Sequence, residues 1–154
     1  MLLRADQRRA TEESWGWREA GLTVRHVRGR KMRTVGGLFD EVSAALQFPY
    51  YFGENWPAFD ECLADMDWLP LQVGIVVTVL DAVEVLSDEP SAELGTLART
   101  IAHASETYAE PIASGEWWDR PALPFHVVLQ AREDQEGLVR ARWGASGAML
   151  SVLG

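Results

Sequence analysis

Asp60, Glu61 and Asp65 lie close together in "WPAFDECLAD" (56–65). Carboxylates so grouped either hold a divalent cation for phosphoryl chemistry or face the cations of a partner. On a helix, Pro57, Asp60, Glu61, Ala64 and Asp65 share one side, because residues three and four apart are neighbours. Trp56, Phe59, Cys62, Leu63 and Met66 then share the apolar side. A metal-dependent phosphoesterase would add a base, a nucleophile or a phosphate-gripping arginine, and none adjoins these acids. Gly36-Gly37 is not followed by the Lys and Ser/Thr of a phosphate-binding loop. The three acids therefore read as a negative ridge for binding, with no metal and no cofactor.

The remaining reactive side chains form no second constellation. Cys62 is the only cysteine, which excludes an intramolecular disulfide, and on the apolar side of the helix it reads as a small buried hydrophobe. His26, His103 and His126 are scattered without metal-ligand spacing. Trp117-Trp118 reads as a surface loop packed onto the domain or as a ligand platform. Tyr51 either anchors the core or meets a partner. Glu54 and Asn55 fix the loop and cap the helix.

Charge is distributed unevenly. The 154 residues carry a net charge of −9. Residues 1–33 hold nine basic and four acidic side chains, whereas 34–98 hold twelve acids and no Lys or Arg. Such a block repels nucleic acid and attracts basic partners, beyond merely keeping the surface solvated. No apolar run is long enough to span a membrane, and the first residues, "MLLRADQRRATEESWGW", lack the apolar segment of a secretory signal. A cytoplasmic single domain without membrane or nucleic-acid partners is expected.

The elements that must hold the ridge are legible by periodicity. "LTVRHV" (22–27) alternates as a strand, and "RGRK" (28–31) reads as a turn. Leu38, Val42, Ala45 and Leu46 recur at helical spacing behind a cap at Thr34 or a following glycine. Asn55 caps the next helix, with Pro57 in its first turn. "LQVGIVVTVL" (71–80) is a β-branched run suited to a doubly buried parallel strand. A short helix is expected over 81–89 and a long one over 91–109, followed by a loop over 112–123 and a strand at 125–131. "LVRARW" (138–143) alternates after a polar turn and predicts an edge strand. Residues 1–22 are an Arg-rich lead-in with at most a short helix.

The stretch "YYFGENWPAFDECL", followed by "DWLP" and a strand, resembles the central motif of barstar-like proteins, intracellular inhibitors of guanyl-specific ribonucleases. The order of elements from about residue 22 to 131 fits that family. The resemblance implies an α/β fold, a three-stranded parallel sheet packed with helices. Here it would gain an antiparallel C-terminal edge strand, making 1–21 an N-terminal extension, 22–131 the barstar-like domain and 132–154 a hairpin extension. It also implies a non-catalytic protein of immunity or antitoxin type. Such a protein, as a monomer or in a 1:1 heterodimer with its target, occludes the basic site of a ribonuclease or ribonuclease toxin. The implied contact residues are Tyr51, Gly53, Pro57, Asp60, Glu61, Ala64 and Asp65, with Glu106 from the later helix. This chain departs from the family archetype at Pro57, where an acid is usual, at Asp60, where an aromatic is usual, and at Glu61, where the acid is shorter. An acidic module for a different basic toxin is the alternative.

Overall fold

The computed structural model describes residues 1–71 and 73–153. In chain order the elements are β1 (Leu2–Arg4), α1 (Gln7–Glu19), β2 (Thr23–Arg28), α2 (Val35–Leu46), α3 (Trp56–Asp65), β3 (Ile75–Leu80), α4 (Ser91–Ala109), β4 (Phe125–Ala131), α5 (Glu136–Ala145) and β5 (Val152–Leu153). Single 3-10 turns at Gly29–Lys31, Ala82–Glu84 and Glu133–Gln135 join some of them. The strands form one sheet in the order β2-β3-β4-β1-β5, and every pairing is parallel.

Register and alternation place two cores on the two faces. Val27, Val77, Val79, Phe125, Leu129 and Leu2 point to the side covered by α2, α3, α4 and α5. Val24, Val76, Val128 and Leu3 point to the other side, where Ala10 and Trp17 of α1 cover them. The connections β2–β3, β3–β4 and β4–β5 step one way across the sheet, and their helices lie on the first face. The connection β1–β2 steps back, and α1 lies on the second. Parallel crossovers of one hand require this reversal of face with reversal of direction. The result is a doubly wound sheet.

Three expectations change. The expected antiparallel strand at 138–143 is helix α5, and the chain returns to the sheet only at β5, parallel to β1. Val139 and Trp143, four apart, are buried, while Ala141 between them is exposed, so the burial period is helical. Six alternating residues also satisfy an i, i+4 pair, and that ambiguity misleads. The sheet accordingly has five strands, because the N-terminal segment supplies β1 beside β4, with Leu2 and Leu3 buried. The apolar run from 71 becomes strand only at Ile75, and Gln72 lies outside the described residues, as does Gly154 at the chain's end. Gly74 sets that start. Its φ is +140°, and a Cβ there would lie 2.6 Å from the Pro124 carbonyl oxygen.

Other elements form as their residues dictate. Thr34 Oγ1 accepts from the Gly37 amide at 3.2 Å, and Glu89 accepts from the Val35 amide at 3.0 Å, so two free donors of α2 are satisfied. Leu38, Phe39, Val42 and Leu46 form its buried stripe. The long helix, the strand at 125–131 and the loop before it stand where periodicity put them. No helix is long and apolar enough to cross a membrane among the described residues.

Candidate protein-binding interface

Helix α3 is held from its first residue. Asn55 Oδ1 accepts from the Ala58 amide at 2.9 Å, and its Nδ2 donates to the Gly53 carbonyl at 3.0 Å. One side chain thus caps the helix and pins the loop before it. Gly53 packs closely against it, since a Cβ there would stand 3.1 Å from that same Nδ2. The aromatics of the loop divide. Phe52 turns inward and meets Phe39 and Phe48 edge-on at 5.7 and 5.2 Å between ring centroids. Trp56 and Phe59 join the cluster on Phe39. Tyr51 turns outward and is 69% exposed; Tyr50 is fully exposed and meets it edge-on. Edge-to-face pairs of this kind add to what burial alone contributes.

Three side chains of α4 staple α3 to it. Trp56 Nε1 donates to Glu93 at 2.8 Å, Asp60 Oδ1 lies 2.9 Å from His103 Nδ1, and the Tyr108 hydroxyl donates to the Asp65 carbonyl at 2.8 Å. First turn meets first turn and last meets last, so the two helices run in the same direction. Phe59, Cys62 and Leu63 face the core. Met66, expected on that side, is buried but ends the helix in the left-handed conformation at φ 43°. Pro57, Glu61 and Asp65 are exposed, and Asp60 and Ala64 are partly so. The five residues placed together by helical spacing therefore do form one outward face.

Much of the acidic block is spent on internal ties. Glu41 pairs with Arg28, Glu84 and Asp88 with Arg33, and Asp81 accepts from Gln7. Glu89 and Glu93 hold the starts of α2 and α3. Among the described residues, Glu61, Asp65 and the adjoining Asp67 have no basic partner. Burial, then the charges of Asp67 and Glu61, push the Asp65 carboxyl above its ordinary value, against a hydrogen bond from the Asp67 backbone. An opposite charge placed beside Asp65 would offset the repulsion from Asp67 and Glu61. Burial, followed by the Glu61 and Asp65 charges, also raises the Cys62 thiol, which keeps it neutral and unreactive. No set of three His, Cys, Asp or Glu side chains is arranged to hold a metal among the described residues.

Glu106 lies about one turn beyond His103 on α4. It lines a cleft of about 390 Å³ between α4, the start of β4 and residues 147–150, together with Ile101, Phe125 and Trp143. The α4 residue that meets Asp60 is His103, to which sequence spacing alone assigns no role. Tyr50 and Asp67 also flank the ridge outside the residues that the motif implies. Tyr50 adjoins the motif and Asp67 follows the helix by two residues, so both had a signal in their proximity. His103 had none, since only the packing of α3 on α4 brings it to the ridge.

The sequence model of the family described as "Barstar (barnase inhibitor)" matches residues 22–130. No curated protein matches. Among solved structures, the chain is similar to one in "Structure of Drosophila ORC bound to GC-rich DNA and Cdc6", with 15% identity over 99% of this chain and 47% of that chain and a TM-score of 0.45. This chain spans about half the length of that one, and likeness at this level carries no argument. The family match takes in β2 through β4, including the capped aromatic loop, all of α3 and the stapling helix α4. The chain belongs to the barstar family of barnase inhibitors.

Proposed function

We propose that this protein is a non-catalytic inhibitor of a basic ribonuclease or ribonuclease toxin, acting as an immunity or antitoxin partner. In this reading the outward face of α3 enters the enzyme's cationic cleft. Glu61 and Asp65 stand where RNA phosphates would bind, and Asp60 adds its charge beside them. Tyr51 and Gly53 line the approach, Pro57 and Ala64 leave room for the enzyme's surface, and Glu106 contributes from α4, one turn beyond His103. The observation that carries this reading is the pair Glu61 and Asp65, exposed and without a basic partner among the described residues, on a helix that lies wholly within the family match. Charge so placed steers association and selects basic partners.

Pro57 and Asp60 alter two contact positions, so the preferred enzyme differs from barnase. The test is titration of the purified protein into RNA cleavage by barnase and by a panel of other bacterial guanyl-specific ribonucleases and ribonuclease toxin domains. Stoichiometric inhibition of at least one of them, much tighter than inhibition of barnase, is the expected result. RNA hydrolysis by the protein itself, lost on substitution of Asp60 or Glu61, would sink the inhibitor reading.

A further inference from the structure

The loop after α4 is built. Ile112 and Arg120 exchange backbone hydrogen bonds of 2.8 and 3.0 Å, which close residues 112–120 into a small hairpin. Inside it, the Asp119 carboxylate accepts from the Ser114 and Gly115 amides at 2.9 and 2.8 Å. At its base, the Arg120 guanidinium donates to the Thr107 and Glu110 carbonyls, each at 3.0 Å, and lies 5.1 Å from the centroid of the Tyr108 ring. On this fixed frame Trp117 is 86% exposed and Trp118 50%, with their rings 5.4 Å apart and edge-on. The packing of these tryptophans onto the domain, one of the two readings of the sequence, does not describe Trp117. Two large apolar rings held in water on a rigid support form an unpartnered patch.

The patch adjoins the acidic ridge through its base. Arg120 lies over Tyr108, and the Tyr108 hydroxyl donates to the last residue of α3, Asp65. The base of the hairpin is thereby tied to the C-terminal end of the acidic ridge, as the Tyr50-Tyr51 loop is tied to the N-terminal end. The hairpin carries Glu116, Asp119 and Arg120; Arg120 is turned to its base and Asp119 to its own amides, so Glu116 beside the tryptophans is the charge left to a partner. We infer that Trp117 and Trp118 are a second arm of the interface, seated on an apolar patch beside the cationic cleft of the same basic ribonuclease. The inference rests on the inhibitor reading and adds to it a hydrophobic anchor, the residue type that dominates binding energy when it is desolvated in a complex.

The experiment uses the full chain and the guanyl-specific ribonuclease of the panel that it inhibits best. Trp117→Ala/Trp118→Ala should weaken binding at least about 30-fold, the loss that defines an interface hot spot. The loss should come mainly through faster dissociation, with an unchanged salt dependence and a fold that remains intact by circular dichroism at the binding temperature. Glu61→Lys should instead flatten the salt dependence. Hydroxyl-radical footprinting of the wild-type complex, which needs no variant, should show Trp117 and Trp118 protected. Unchanged affinity of the double variant beside a weakened Glu61→Lys, or tryptophans left unprotected, would overturn the second arm while the inhibitor reading stands. Self-association of the wild type that the double variant loses would assign the patch to a second copy of the chain and overturn it too. Failure of the wild type to bind any enzyme of the panel would overturn both readings.

Discussion

His103 Nδ1 on α4 lies 2.9 Å from Asp60 Oδ1 on α3, and this pair sets how much of the acidic face is open to a partner. His103 occupies one oxygen of that carboxylate. A partner cation must share Asp60 with it or displace it.

His103→Ala should therefore free Asp60 and speed association with the inhibited ribonuclease a few-fold at low salt. The pair is partly solvent-exposed, so its loss should change stability by less than about 1 kcal/mol. Stopped-flow association rates and thermal melts of the variant check both. A slower association would mean that His103 itself touches the enzyme.

Glu61 tests the ridge. Glu61→Ala should cost at least about 2 kcal/mol of binding, as truncation of one member of a buried charge pair does. Glu61→Lys should cost more, and both should melt within about 0.5 kcal/mol of the wild type, because the position faces solvent. Glu19→Lys makes the same charge change on α1, across the sheet. Calorimetric affinities at two salt concentrations decide the matter, since equal losses from Glu61→Lys and Glu19→Lys would mean that only bulk charge is read.

Asp65 should show function set against stability. Its folded-state pKa is raised, first by burial and then by Asp67 and Glu61, so the stability linked to its proton is fully present below the unfolded pKa and is lost as pH rises through the folded one. At neutral pH its charge works against the fold. Asp65→Asn should raise the melting temperature at pH 7, lose that advantage near pH 3, and weaken ribonuclease binding. Melts across pH 3–8 beside binding at pH 7 provide the check.

Thr78 sits fully buried in β3 between His26 and Val128 in register, and its hydroxyl has no hydrogen-bond partner among the described residues. Thr78→Val keeps the shape and removes an unmet polar group, so it should stabilise the fold by about 1 kcal/mol. Urea denaturation with an unchanged slope would show that the gain belongs to the native state.

Leu2 is fully buried in β1 and paired with Leu129 of β4. Leu2→Ala should cost about 2–5 kcal/mol, the range for truncating a core leucine. A loss within about 0.5 kcal/mol would mean that the N-terminal segment is no working part of the sheet.

Local chemistry was legible along the chain wherever one segment carried its own instructions. Asn55, Pro57 and the spacing of Phe59, Cys62 and Leu63 specify a capped helix with an acidic outer face before any packing is known, and the β-branched run into Leu80 specifies a buried parallel strand. Residues 1–4 and 136–145 carried no such signal. β1 is three residues long and becomes strand only because β4 offers an open edge, while α5 shows its helical period only through which side of it, Val139 and Trp143, the core covers. The site divides in the same way. Glu61 and Asp65 are neighbours by helical geometry alone, so their shared face was written in the sequence. The tie of His103 to Asp60, that of the tryptophan hairpin to the end of α3, and the diversion of Glu89 and Glu93 to holding helices depend on contacts between distant segments. Tertiary packing alone decides those, because it determines which acids are neutralised within the molecule and which remain for a partner.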